Sequence, residues 1–231
     1  MKNHAPVLSA VEGPELVLFD LDGTLVDSVP DIAYCIDRML GELGRAPAGE
    51  HRVRMWVGNG AERLIKRALT GAMDAEPADA AEFRRAHDRF LELYGEHTDE
   101  LSRLYPGAVE GLRHARSLGC PVGCVTNKAA RFTEPLLQSL GIRDQFEIVV
   151  SGDTLARRKP DPMPLLYCAE KYAAQPARSV MVGDSINDIH AARAAGFRIV
   201  CVSYGYNHGN DIGIEKPDAV IETLADLSAH L

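Results

Sequence analysis

Beyond Tyr105, short apolar runs and single helical patterns take turns along the chain, and this alternation restricts the fold more than any other feature of the sequence. A helix from about 107 to 118 ends at Gly119, a strand follows at Val122 to Val125, a helix at about 129 to 140 stops at Gly141, and Phe146 to Val150 reads as the next strand. Then come a helix at 162 to 174, a strand at Val180 to Val182, a helix at 186 to 195 before Gly196, a strand at Ile199 to Val202, and a short last helix near 223 to 229. An apolar run at Leu16 to Phe19 supplies a strand ahead of all of these. Strands joined through single helices make right-handed crossovers, which build a parallel sheet with helices on both faces. The expected fold is α/β, a doubly wound parallel sheet of the Rossmann type.

Residues 28 to 102 break the rhythm. They lack strand-like runs, and their apolar residues recur at helical spacing: Ile32, Cys35, Ile36, Met39 and Leu40, then Leu64, Ile65, Ala68 and Leu69, then Phe83, Phe90, Leu91 and Tyr94. We expect a small all-helical cap at 28–102, inserted after the first strand into a core made of 15–27 and 103–231. Asp27 to Pro30 and Ser102 to Pro106 join the two and are the natural hinges. Residues 1–14, with Pro6, Gly13 and Pro14 and no period, read as a loose extension. A chain of 231 residues with 46% hydrophobic content has the material for one sizeable core and a smaller second unit.

A formal net charge of -8, mixed along the sequence, argues against nucleic-acid or anionic-membrane partners, so a substrate anion must be held by a local site. The 5 cysteines are scattered through apolar or helical stretches and read as reduced core thiols. Residues 1 to 15 lack signal-peptide architecture, and no apolar stretch approaches the ~18 residues of a membrane span. The expected setting is the cytoplasm, as a monomer or homodimer.

Four segments put reactive groups at predicted strand ends. Asp20 and Asp22 close the first strand, where open α/β sheets bind ligands, and Gly23-Thr24 offers backbone N–H groups and a hydroxyl to an anion. Asp-x-Asp-Gly also opens calcium loops, but the fifth and twelfth places here hold Thr24 and Asp31, and a strand precedes it. Thr126 and Asn127 emerge just before a helix N-terminus, where Thr126 can act as an N-cap or as an anion ligand. Lys159, its backbone restricted by Pro160, is either a solvated loop lysine or a charge neutraliser for the crevice of Asp20. Asp184 ends another apolar strand with Asp188 four residues on, and the pair can cap a helix or ligate a metal. Together the four offer a nucleophile, anion ligands, a cation and metal ligands, which suits phosphoryl transfer on an aspartate.

In this order the segments resemble the four motifs of the haloacid dehalogenase superfamily over roughly residues 16 to 206. Leu104-Tyr105-Pro106-Gly107, Arg158-Lys159-Pro160, Gly183-Asp184-Ser185, Asn187-Asp188 and Ser203-Tyr204-Gly205-Tyr206-Asn207 resemble its phosphoglycolate phosphatase branch. The resemblance implies that Asp20 is the nucleophile and Asp22 the general acid and base. It implies Mg²⁺ on Asp20, the Asp22 main-chain carbonyl and Asp184, with Asp188 in support, and phosphoryl oxygens on Thr126, Asn127 and Lys159. Relatives that attack carbon lack the second aspartate, so dehalogenation does not fit Asp22 and Asp184. Nor does phosphonate hydrolysis through a cap Schiff base, since Lys66, the one lysine in 28–102, sits on a helix beside Arg67.

The expected partner is a small phosphorylated metabolite, foremost 2-phosphoglycolate. Other small phosphoesters, including sugar, amino-sugar, nucleotide and pyrophosphate substrates, stay open, as does a sugar phosphomutase. A non-catalytic scaffold would have no need of the whole constellation. Substrate choice falls to the cap, where Trp56-Val57-Gly58-Asn59-Gly60-Ala61 can approach a ligand by its backbone. Arg63 there can meet a carboxylate or point into solvent.

Overall fold

A computed structural model describes residues 13–231; most of the extension expected at 1–14 lies outside the described residues. The chain begins with β1 (Leu16–Phe19) and β2 (Val26–Asp27) and passes into four helices, α1 (Val29–Glu42), α2 (Glu50–Trp56), α3 (Ala61–Thr70) and α4 (Ala80–Glu96). It returns through β3 (Arg103–Leu104) to α5 (Ala108–Ser117), β4 (Val122–Val125), α6 (Ala130–Ser139), β5 (Ile148–Val150) and α7 (Met163–Lys171). Last come β6 (Ser179–Gly183), α8 (Ile186–Ala195), β7 (Arg198–Val202) and β8 (Ala219–Ile221).

Six parallel strands form one sheet in the order β5-β4-β1-β6-β7-β8. The chain fills the sheet outward from β1 on one side and then crosses to fill the other. The reversal of strand order therefore falls at β1, where the carboxyl ends of doubly wound strands leave a crevice. Side chains alternate across the sheet. Val17, Phe19, Val180 and Val182 pack on one face with Leu112 of α5 and Leu136 of α6. Leu16, Leu18, Met181 and Ile199 pack on the other with Leu165 of α7 and Ile189 of α8. Fully buried side chains such as Phe19 and Leu18 each contribute roughly 1.5–3 kcal/mol of transfer free energy, so the strands are fixed from both sides.

The four helices α1 to α4 bury a third apolar cluster, including Ile36, Met39, Trp56, Ile65 and Phe90. Both chain passages between this cluster and the sheet are tied. β2 pairs with β3 antiparallel, Val26 opposite Leu104 and Asp27 opposite Arg103. The buried Asp31 carboxylate accepts from Leu101 N at 2.8 Å, Ser102 N at 2.7 Å and Ser102 Oγ at 2.6 Å. Among the described residues no helix is long and apolar enough to cross a membrane.

Several elements differ from the sequence expectation. A 3₁₀ turn at Arg143–Gln145 delays β5 to Ile148, so Phe146 is buried in the core ahead of the strand instead of within it. The helix expected at 162–174 ends at Lys171, with Ala173 beyond it at a positive φ of 51°. Residues Leu224–Ala229 form 3₁₀ rather than α-helix, and β8 was not foreseen.

Candidate active site

The turn after β1 sets the site. Gly23, at φ 92°, bends the chain so that its N–H reaches Val26 O, while Leu25 and Val26 donate to Leu21 O. A side chain at Gly23 would meet the Asp184 carboxylate, so the close approach as well as the φ calls for glycine. Asp20 leaves β1 with its Oδ1 accepting from Leu21 N at 2.7 Å.

Asp20 stands in an acidic group. One carboxylate oxygen each of Asp20, Asp184 and Asp188 lies within 4.8 Å of the others, and all three residues are buried. Lys159 Nζ sits 2.8 Å from Asp20 Oδ1 and 2.6 Å from Asp188 Oδ1. Burial, and to a lesser degree Asp188, oppose charge on Asp20 more strongly than Lys159 favours it, so its carboxyl is raised from an ordinary 3.8 to about 7. Burial with the charges of Asp20 and Asp188 holds Asp184 well above the usual carboxylate range, despite the Thr24 hydroxyl at 2.6 Å and the Tyr206 N–H at 2.7 Å. Burial alone would lower Lys159, yet Asp188 and Asp20 outweigh it and keep the ammonium charged. Asp188 also closes the N-terminus of α8, its Oδ2 accepting from Asp184 N at 3.2 Å, Ser185 N at 3.0 Å and Ser185 Oγ at 2.7 Å.

A second charged group faces this one. Asp22 Oδ1 accepts from Ser28 Oγ at 2.6 Å, and Lys128 Nζ lies 3.1 Å from Oδ1 and 3.3 Å from Oδ2. Lys128 Nζ also donates to the hydroxyl of Tyr94 on α4. Burial works against the Lys128 ammonium, but Asp22 and Tyr94 more than offset it and raise the group.

The helical layer closes over both groups. The Gly58 carbonyl accepts from Asn127 Nδ2 and Asn187 Nδ2, each at 3.2 Å, and Asn127 Nδ2 also reaches Lys159 O at 2.9 Å. Tyr206, after β7, spans the two layers: its N–H is on Asp184, while its hydroxyl donates to Asp27 at 2.5 Å and accepts from Ser28 N at 3.0 Å. The pocket between the layers has a volume of about 530 Å³, suited to a small ligand, and its walls carry Asp20, Asp22, Lys128, Lys159 and Asp184.

The structure brings Asp20, Asp22, Thr126, Asn127, Lys159 and Asp184 to this one pocket. Asp188 belongs to the acidic group itself, and Gly23 and Thr24 stand behind it, Thr24 fully buried with its hydroxyl on Asp184. Gly58 and Gly60 of the Trp56–Ala61 turn line the pocket. Arg63 lies in an adjoining groove, 3.3 Å from Glu76 and 3.9 Å from Asp74. Lys128 and Tyr94 escaped the sequence reading. Their only signal was a lysine next to Asn127 at a strand end and a tyrosine on the apolar stripe of a helix.

An acidic crevice with a buried lysine at the switch point of a doubly wound sheet, roofed by helices, defines a ligand-transforming α/β enzyme. The family model for haloacid dehalogenase-like hydrolases matches residues 14–196, and the chain belongs to that family. A phosphoglycolate phosphatase of Nitrosococcus oceani is 56% identical over 93% of this chain and 95% of its own length. One from Thiobacillus denitrificans is 47% identical over 91% and 92%. A crystal structure described as a predicted phosphoglycolate phosphatase from Haemophilus somnus superposes with a TM-score of 0.88 at 37% identity, covering 94% of this chain and 98% of its own.

Proposed function

We propose that this hydrolase releases phosphate from 2-phosphoglycolate, with Asp20 as nucleophile and Asp22 as acid and base. One observation carries the reading: Asp20 pairs with Lys159 at 2.8 Å, beside Asp184, in a pocket whose wall also holds a second, separately held carboxyl group, Asp22. A nucleophile and a proton donor on different supports are what displacement at phosphorus requires. In the first step a bond forms from Asp20 Oδ to phosphorus as the bond to the leaving oxygen breaks, and Asp22 gives that oxygen a proton. In the second, water attacks the aspartyl phosphate, Asp22 takes the water's proton, and inorganic phosphate leaves with Asp20 restored. Lys159, Thr126 and Asn127 supply preorganised donors to the phosphoryl oxygens.

The donor set fits a hard divalent cation such as Mg²⁺, since three buried carboxylates face a single ammonium and two of them are pushed toward protonation. Asp20, Asp184 and the Asp22 carbonyl would hold it, with Asp188 in support, and its charge would offset the repulsion between Asp20 and a phosphate dianion.

Residues 28–102 we assign as a cap over a core of 15–27 and 103–231, a division supported by the apolar cluster that α1 to α4 supply, with only Phe132 and Tyr206 of its buried residues coming from the core, and by the paired β2 and β3. The names of the relatives support 2-phosphoglycolate, whose carboxylate needs cationic partners. The exposed Arg131 and Arg158 line the pocket, and Arg63 lies one groove away. The test is a panel of phosphoesters compared by kcat/KM with Mg²⁺. We expect 2-phosphoglycolate to lead sugar and nucleotide phosphates by at least about tenfold, ~1.4 kcal/mol of transition-state binding. A smaller margin would sink the substrate assignment.

A further inference from the structure

Lys128 is a buried cation of the pocket wall that the roles above leave without work. Its side chain is 4% exposed and its neighbour Asp22 is 16% exposed. Taking both charges out of water costs several kcal/mol, and pairs of this kind are weak devices for stability alone. The geometry around Asp22 is unequal. Oδ1 takes two donors, Ser28 Oγ at 2.6 Å and Lys128 Nζ at 3.1 Å, whereas among the described residues Oδ2 has only the longer contact to Lys128 at 3.3 Å. Oδ2 is therefore the oxygen with capacity left for a proton. Lys128 is itself held. Its Nζ donates to the Tyr94 hydroxyl and lies 4.7 Å from the centre of that ring. The ring is wedged between Phe90 at 5.4 Å and Phe132 at 4.9 Å.

We propose that Lys128, backed by Tyr94 from the helical layer, is the positioning residue for Asp22. It fixes the carboxyl group with Oδ2 turned to the leaving oxygen, and it lies against the negative charge Asp22 acquires as it gives up its proton. Asp22 is placed correctly only when α4 and the sheet are together, so the roof of the pocket takes part in the proton transfer. The inference rests on the proposed phosphomonoesterase reaction. It assigns Lys128 no contact with phosphorus and no bond change of its own.

The test separates proton donation from everything else by varying the leaving group. 2-Phosphoglycolate and ethyl phosphate expel alkoxides that need a proton, while p-nitrophenyl phosphate expels a stable anion that does not. Lys128→Met should lower kcat for both alkyl esters by about 10²-fold, the lower end of what a positioned general acid contributes, and for the aryl ester by less than about fivefold. Tyr94→Phe keeps the Lys128 to Asp22 pair and should show the same selectivity at about five- to tenfold, which preserves the test should the lysine variant misfold. Equal losses on all three esters in both variants would make the cluster structural and overturn the proposal. A loss confined to 2-phosphoglycolate would make Lys128 a carboxylate ligand and overturn it as well. Turnover of none of the three by the unmodified enzyme would instead overturn the phosphatase reading, and this inference with it.

Discussion

Lys159→Met takes one ammonium from between two buried carboxylates. Lys159 Nζ is 2.8 Å from Asp20 and 2.6 Å from Asp188, and the three side chains are 1%, 12% and 0% exposed, so water cannot replace the lost charge. Removing one partner of a buried pair costs about 3–5 kcal/mol, because the charge left behind is uncompensated. For a chain of 231 residues each kcal/mol moves Tm by roughly 2–4 °C, which gives a fall of roughly 6–20 °C. That figure applies at pH 8 without divalent cations. Protonation offers an escape: Asp20 sits at about 7 already, and without Lys159 it moves higher. At pH 5 Asp20 is neutral in the folded variant, which leaves Asp188 as the carboxyl without its ammonium, so the gap between variant and parent should be smaller than at pH 8. Thermal melts of both proteins at the two pH values, in chelator-treated buffer, measure this. A fall of under about 2 °C at pH 8, or the same fall at both pH values, would refute the claim that Lys159 offsets this acidic group.

Two further outcomes follow from the same cluster. Gly205→Ala places a methyl group against the Asp184 side chain, so overpacking should cost about 1–3 kcal/mol and displace that carboxylate. The rise in Tm on adding Mg²⁺ should shrink in this variant, and an undiminished rise would remove Asp184 from the cation site. The second outcome concerns pH. Asp20 is raised from 3.8 to about 7, chiefly by burial, so the folded state holds its proton more tightly than the unfolded chain. Its contribution to stability is complete below pH ~4 and is lost as pH rises through about 7. Metal-free Asp20→Asn should therefore show a flatter decline over that window, by up to about 1.4 kcal/mol per pH unit, in urea titrations at several pH values. Parallel stability curves for the two proteins would count against the raised Asp20.

Lys159 reaches the site from the long loop between β5 and α7, but Asp20, Thr126 and Asp184 each directly follow a strand, and parallel strands share one carboxyl edge, so the sequence carried the parallel sheet and their convergence. Local pattern is enough for such an inference. It could not reach β8, whose residues Ala219–Ile221 are few and only partly buried, so no apolar run marks them. Nor could it foresee that Asp27 and Arg103 pair at the passages between the layers, since two-residue strands have no period to read. Lys128 was hidden for another reason. Its partners Asp22 and Tyr94 lie 106 and 34 residues away, and only the folded layers bring them together. Arg63 shows the converse, as a charge near the right turn whose side chain is drawn aside by Glu76.

In the proposed reaction Asp20 carries the phosphoryl group. Rapid acid quenching of the enzyme during turnover of radiolabelled 2-phosphoglycolate with Mg²⁺, followed by peptide mapping, tests it directly. Hydroxylamine-labile label is expected on the peptide containing Asp20, and neither label nor turnover in Asp20→Asn. Phosphate release with no label on that peptide, or normal turnover by the variant, would contradict it.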